Sequence, residues 1–143
     1  MELFRQLNRK VGMGRLPRVY YAGAVYHAMA RGVEGRDIYG DDADRTDFLR
    51  RLHHVESEAS AKVIAYCLMG NHFHLAIKVG LVPLSAVMHR LLTGYAKFFN
   101  ERYERTGHLF QGRHKAKLCR SEKYLYQLIH YIHMNPVRAG FVS

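Results

Sequence analysis

Two histidines separated by one residue, His72 and His74, are the first residues of this sequence whose types and spacing could do chemistry. They follow Gly70-Asn71 between two apolar runs, a pattern that predicts a β-hairpin with both histidines on its second strand. Side chains two residues apart on a strand point to the same face, with Cα atoms roughly 7 Å apart. One metal ion could contact both rings, because a neutral imidazole binds a metal at about 2.0–2.1 Å. The alternative is a pair of structural histidines in a sheet.

A second pair of candidate residues, Tyr131 and Asn135, lies in the last predicted helix. Residues four apart share one flank of a helix, about 6 Å apart along its axis. In the combined site, a metal ion takes the two imidazoles and the amide oxygen of Asn135 while the Tyr131 hydroxyl attacks a phosphodiester. Taken singly, Tyr131 could be a core tyrosine and Asn135 a helix terminator.

The same helix carries two other tyrosines, Tyr124 and Tyr126. Helical phase places Tyr126 away from the Tyr131 flank. Tyr124 shares that flank but lies about 10 Å from Tyr131 along the axis. The spacing therefore favours Tyr131 as the nucleophile.

The charge balance points to a polyanionic partner, most commonly nucleic acid. The chain has 143 residues, with 22 Lys and Arg against 12 Asp and Glu, for a formal net charge of +10. The alternative is a merely basic soluble protein. The basic residues that we expect to contact nucleic acid are Arg18, Arg31, Arg113, Lys115, Lys117, Arg120 and Arg138.

The two cysteines, Cys67 and Cys119, lie in predicted strands and have no metal-type spacing. We expect buried free thiols in a reducing cytosol. No apolar run reaches membrane-spanning length, and the basic N-terminus lacks the apolar core of a signal peptide. We therefore expect a cytoplasmic protein with no membrane partner.

Residues 1–18 are predicted to form a basic flexible arm, and residues 19–143 a single domain.

The acidic cluster at Asp41-Asp42-Ala43-Asp44 predicts a helix N-terminus, with a hard-cation site as the alternative. Pro136 disfavours helical geometry at Asn135, so the last helix should end or kink there. The other predicted elements, in chain order, begin with a strand over 20–31, a first helix ending near 59, and strands two and three in the hairpin. A long helix from about 83, a fourth strand over 114–120 and a last helix from 122 follow. The fourth strand should carry its basic side chains on one face.

The element order β-α-β-β-α-β-α predicts an α+β fold of the ferredoxin-like type. We expect a four-stranded antiparallel sheet with the helices packed on one face. Such a sheet can place the strand that bears His72 and His74 at its centre.

Four blocks of the sequence together resemble the single-tyrosine transposases that carry an HUH motif, here His72-Phe73-His74. The resemblance covers nearly the whole chain and is nearest to the REP-associated tyrosine transposases, within the family related to bacterial insertion sequences. The blocks are Gly23-Ala24-Val25-Tyr26-His27 with Arg31-Gly32, Ala65-Tyr66-Cys67-Leu68-Met69 running into Asn71-His72-Phe73-His74-Leu75, Gly107-His108-Leu109-Phe110-Gln111-Gly112-Arg113, and Tyr131-Ile132-His133-Met134-Asn135-Pro136-Val137-Arg138-Ala139-Gly140.

The resemblance implies a nuclease that cuts single-stranded DNA near hairpins, keeps a 5′-phosphotyrosine link and leaves a free 3′-OH. It implies His72, His74 and Asn135 as metal ligands and Tyr131 as the nucleophile. Two imidazoles and an amide oxygen suit Mg²⁺ or Mn²⁺. The resemblance also implies a bacterial, nucleoid-associated protein, acting as a monomer or a homodimer. Gly70 replaces the proline expected before the motif. Family members often run further than Ser143, so a shortened chain without a C-terminal DNA contact is one interpretation.

The leading hypothesis is therefore a metal-dependent endonuclease and strand transferase that acts on hairpin-forming DNA. The main alternative is a catalytically silent module of the same fold that binds DNA or RNA hairpins. A hydrolase of small phosphodiesters is disfavoured by the charge and by the absence of a glycine-rich phosphate loop.

Overall fold

The computed structural model describes residues 21–138, with side chains up to Asn135. The predicted arm and Arg18 lie outside these residues. No helix within the described range is long and apolar enough to cross a membrane. The elements are β1 (Val25–Arg31), a short 3₁₀ turn (Val33–Gly35), α1 (Asp42–Glu58), β2 (Lys62–Leu68), β3 (His72–Lys78), α2 (Leu84–Arg102), β4 (Lys115–Leu118) and α3 (Glu122–Arg138).

The four strands form one antiparallel sheet in the order β2-β3-β1-β4. The strand that bears the two histidines is central, since β3 pairs with both β1 and β2. His74 lies opposite Met29 of β1 on one side and Cys67 of β2 on the other. The predicted α+β fold with a four-stranded antiparallel sheet is confirmed.

One face of the sheet carries the aromatic core. Phe73, Leu75 and Ile77 of β3 are fully buried on this face. The ring of Phe48 from α1 lies 4.9 Å from that of Phe73 and 5.3 Å from that of Tyr95 in α2. Helices α1 and α2 therefore cover this face.

The last helix packs on the opposite face, so the prediction that the helices share one face is wrong for α3. Its Tyr131 ring lies 5.5 Å from the ring of His74, which points away from Phe73. Leu128 and Ile132 of α3 are buried there. The physical reason is that successive residues of β3 from Phe73 to Ile77 are all buried, although their side chains alternate between the two faces. Both faces of this strand therefore need a covering element, and α3 covers the second one.

The acidic cluster caps α1, as predicted. The Asp41 side chain accepts a hydrogen bond of 3.1 Å from the backbone N–H of Asp44. Arg102, at the C-terminal end of α2, donates to Asp41 at 2.7 Å, and the Tyr103 hydroxyl donates to Asp44 at 2.6 Å. These bonds satisfy the carboxylates and join α1 to α2.

The sequence predicts that the last helix ends or kinks at Asn135. It does not end there, because α3 continues to Arg138. Ser121 caps its start, because its Oγ accepts a 3.0 Å hydrogen bond from the Tyr124 N–H. A proline removes one N–H and disfavours, without forbidding, helical geometry at the residue before it. Pro136 therefore does not terminate α3, and Asn135 keeps its helical position one turn after Tyr131.

Two strand boundaries also differ from the prediction. The first strand begins at Val25, after a turn in which Gly23 has a φ of 81°. The fourth strand is limited to Lys115–Leu118, so Arg120 follows the strand. Both cysteines are buried free thiols, as predicted.

Candidate active site

The two histidines of β3 share one face of the sheet. The ring centroids of His72 and His74 are 5.0 Å apart, with an interplanar angle of 89°. His74 is 4% exposed and His72 is half-buried. Strand alternation thus brings both imidazoles together as the sequence predicts.

A neighbouring amide holds the ring of His72. Its Nδ1 lies 2.7 Å from Oδ1 of Asn71, and a carbonyl oxygen only accepts hydrogen bonds. Nδ1 of His72 therefore carries the proton. The lone pair remains on Nε2, which is the nitrogen left to bind a metal.

A third histidine, His27 of β1, completes the cluster. No role for this residue was predicted from the sequence. Its Nε2 lies 3.0 Å from Nδ1 of His74, and the two ring centroids are 5.2 Å apart. The available signal was a histidine inside an apolar strand. Its partner could not be known before the pairing of β1 with β3.

The environment keeps the three imidazoles neutral. Burial is the largest cause that lowers the pKa of His74 to about 4, followed by the repulsion that a charged His74 would meet from His27 and His72, when protonated, and from Arg31. Burial followed by Arg31 lowers the pKa of His72, and burial followed by Lys117 lowers the pKa of His27. Neutral rings keep the lone pairs that metal binding requires.

Helix α3 presents Tyr131 to this cluster. The Tyr131 ring lies 5.5 Å from the ring of His74 and 6.3 Å from that of His27, and the side chain is 39% exposed. Tyr124 lies higher on the same flank, with Nζ of Lys117 5.9 Å from its ring centroid. Tyr126 is 70% exposed. Among the three tyrosines of α3, Tyr131 is therefore the one next to the histidines, as helical phase predicts from the sequence.

A cleft of about 550 Å³ lies between α3 and the sheet. The polar groups of its walls are imidazole, phenol, ammonium and amide groups, which is a composition suited to an anion. The side chains that supply these groups are His27, His74, Tyr124, Tyr131, Lys115, Lys117 and Gln127.

Asn135 is half-buried, and its Nδ2 is buried with no hydrogen-bond partner among residues 21–138. A buried amide NH2 group without an acceptor is costly, but as a hydrogen-bond donor it does not bind a cation; the amide oxygen is the atom of this side chain that can. No group of three or more His, Cys, Asp or Glu side chains in the described range could hold a metal ion. The donor set predicted from the sequence is two imidazole nitrogens and one amide oxygen, a set that would suit Mn²⁺ or Mg²⁺.

The predicted nucleic-acid contacts fall into separate groups. Lys115 and Lys117 of β4 lie opposite Met29 and His27, so both lie on one face of the strand, as predicted, and this face is the one that carries the histidines. Arg31 lies opposite His72 and is exposed.

The remaining predicted contacts lie before and after β4 or at the chain ends. The loop that contains exposed Arg113 is attached to the end of β1, because the Gln111 N–H donates to the Arg31 carbonyl at 2.8 Å. Arg120 is half-buried beyond β4. Arg138 belongs to α3, but its side chain and all of Arg18 lie outside the description.

The model of the family described as "Transposase IS200 like" matches residues 21–135. The chain belongs to the IS200-like transposase family. The match confirms, at the level of the family, the resemblance to transposases of bacterial insertion sequences. No curated protein matches this transposase.

Two solved structures have the same fold. A REP-associated tyrosine transposase bound to a REP hairpin superposes with a TM-score of 0.72 at 17% identity, covering 91% of this transposase and 76% of the other chain. A candidate transposase from Deinococcus radiodurans R1 gives a TM-score of 0.57 at 15% identity, covering 86% and 96%. Because both identities are low, these two comparisons establish the fold alone.

Proposed function

We propose that this transposase is a metal-dependent endonuclease and strand transferase that binds hairpin-forming single-stranded DNA and cleaves it through a 5′-phosphotyrosine at Tyr131. The observation that best supports the proposal is the 5.5 Å contact between the Tyr131 and His74 rings, next to His72. The candidate nucleophile and one candidate ligand, His74, thereby line one cleft, and His72 lies next to His74 on the same strand.

His72, His74 and Asn135 would hold a divalent cation, Mg²⁺ or Mn²⁺. When bound, such an ion supplies positive charge to the scissile phosphate and assists ionisation of the phenol. Nε2 of His72 is available for this purpose because Nδ1 donates to Asn71. The amide oxygen of Asn135 would take the third position, since the carbonyl oxygen is the atom of that side chain that can bind a cation.

Tyr131 would attack the phosphorus in line with the leaving 3′ oxygen. The phenol loses its proton to solvent, a bond forms from Oη to phosphorus, and the bond from phosphorus to the 3′ oxygen breaks. The 3′ oxygen takes a proton from solvent and becomes a free 3′-OH. Since one phosphodiester replaces another, a 3′-OH can later attack the phosphotyrosine and rejoin a strand.

Lys115, Lys117 and Arg31 would hold the DNA backbone next to this site. Lys115 and Lys117 share the sheet face of the histidines, and both are exposed. Phosphate contacts of this kind position the strand without reading its sequence. A hairpin as substrate is supported by the fold relative that was solved with a REP hairpin.

The test is an incubation with 5′-labelled and 3′-labelled single strands that each contain a hairpin, with Mn²⁺ or EDTA. We expect a denaturation-resistant protein–DNA adduct with Mn²⁺ that carries the 3′ part of the strand, and no adduct with EDTA. A fully paired duplex of the same sequence is the control for strandedness. Tight hairpin binding with no adduct under any metal would favour the alternative, a catalytically silent hairpin-binding module.

A further inference from the structure

The hydrogen bond between His27 and His74 constrains the proton of a candidate ligand. Nε2 of His27 and Nδ1 of His74 are 3.0 Å apart, so one of these nitrogens donates to the other. A neutral imidazole has one N–H. If His74 donates from Nδ1, its Nε2 keeps a lone pair. If His27 donates, His74 carries its proton on Nε2 and cannot bind a cation there.

The same arrangement occurs at His72, where Nδ1 faces the Asn71 amide oxygen at 2.7 Å. Each ring of the pair thus has its Nδ1 engaged by a second polar group. Histidines that bind metals generally have such a partner, which sets both tautomer and ring orientation. For His72 the partner is the adjacent residue, whereas for His74 it comes from the neighbouring strand.

The position of His27 supports a polar role over simple packing. It lies on β1 diagonally across from His74, since its direct partner is Ala76 and the partner of His74 is Met29. Only a side chain that reaches along the sheet makes this contact. The ring of His27 also lies 6.3 Å from that of Tyr131, so it faces the cleft.

We propose that His27 is a positioning residue that accepts the Nδ1 proton of His74 and thereby orients Nε2 of His74 toward the metal position. The inference rests on the proposed function, because it assigns a role in the same site. His27 itself keeps its proton on Nδ1 and does not bind the cation through Nε2, which is occupied by the hydrogen bond.

The first test reads the tautomer of His74 by ¹⁵N NMR of histidine-labelled, metal-free protein, with His74→Gln to assign its signal. We expect the Nδ1–H form in the wild type and in His27→Gln, whose amide oxygen can accept the same hydrogen bond. His27→Phe keeps a ring but removes the acceptor, so we expect a mixture of tautomers. An Nε2–H form in the wild type, or an unchanged tautomer in His27→Phe, would overturn the inference.

The second test measures Mn²⁺ affinity by electron paramagnetic resonance, with thermal unfolding to confirm that each variant folds. We expect His27→Phe to weaken Mn²⁺ binding by about 10- to 100-fold and His27→Gln to restore most of it. His89→Phe, at an exposed histidine of α2, is the matched control and should bind like the wild type.

The two proposals fail in different ways. Unchanged Mn²⁺ affinity in His27→Phe, together with loss of binding in a His72→Ala, His74→Ala double variant, would overturn the role of His27 and leave the proposed function standing. Absence of Mn²⁺ binding in the wild type would overturn the proposed function and this inference with it.

Discussion

At the scale of single residues, the central prediction concerns which tyrosine attacks. Tyr131→Phe removes only the hydroxyl, so folding and hairpin binding should survive while the covalent adduct disappears. Tyr124→Phe and Tyr126→Phe should give near-normal adduct, because neither hydroxyl is placed to attack. A misplacement of about 1 Å can already cost about a hundredfold in rate, and these residues lie further than that from the position of Tyr131. Denaturing gels with labelled DNA measure this. Peptide mapping that places the nucleotide on Tyr124 would contradict the assignment.

The candidate ligands lead to a second residue-scale prediction. A His72→Ala, His74→Ala double variant should lose Mn²⁺-dependent cleavage yet retain hairpin binding, since the basic side chains are untouched. Cleavage and hairpin affinity are measured on the same preparation by adduct formation and fluorescence anisotropy. Wild-type levels of cleavage in this variant would show that the metal site lies elsewhere.

At the scale of elements, a side-chain cap stabilises the N-terminus of α3, the helix that carries Tyr131. Ser121 accepts a hydrogen bond from the Tyr124 N–H at 3.0 Å. Ser121→Ala should lower the free energy of unfolding by about 1 kcal/mol, whereas Ser121→Asn, another good capping residue, should change it little. Urea unfolding followed by circular dichroism measures both. Equal stability of all three proteins would show that the cap contributes nothing.

The hydrogen bonds that join α1 to α2 predict that the stability of the protein falls in acid. Hydrogen bonds from Arg102 and from the Asp44 N–H lower the pKa of Asp41 from 3.8 to about 2. A carboxyl whose pKa is lower in the folded state stabilises the protein above its unfolded pKa, and this contribution is lost as the pH falls toward 2. Asp41→Asn keeps the cap but not the charge. Its deficit in unfolding free energy relative to the wild type should therefore shrink between pH 5 and pH 2.

At the scale of the whole molecule, the net charge of +10 predicts a steep salt dependence of DNA binding. On a single strand the slope of log affinity against log salt is about −0.7 per neutralised phosphate. Lys115→Ala with Lys117→Ala should therefore reduce the slope by about 1.4. Lys97→Ala, at an exposed lysine of α2 on the other side of the sheet, is the control. A slope that does not change would remove β4 from the DNA interface.

Much of the candidate site could be predicted because its members lie close together in the chain. The period of a strand places His72 and His74 on one face, and the period of a helix places Tyr131 one turn before Asn135. The cap at Asp41 is also local. Such features depend on backbone geometry over a few residues, so any fold that contains these elements must reproduce them.

Only the tertiary structure brings His27 to His74, 47 residues away, and α3 to the face that carries the histidines. Strand order and the packing of α3 depend on the burial of apolar surface by the whole chain, which short periodic patterns do not encode. The continuation of α3 through Pro136 is of the same kind, since the local preference against helix at Asn135 did not prevail in the folded chain. The sequence by itself determined which side chains share an element, and the fold determined which elements meet.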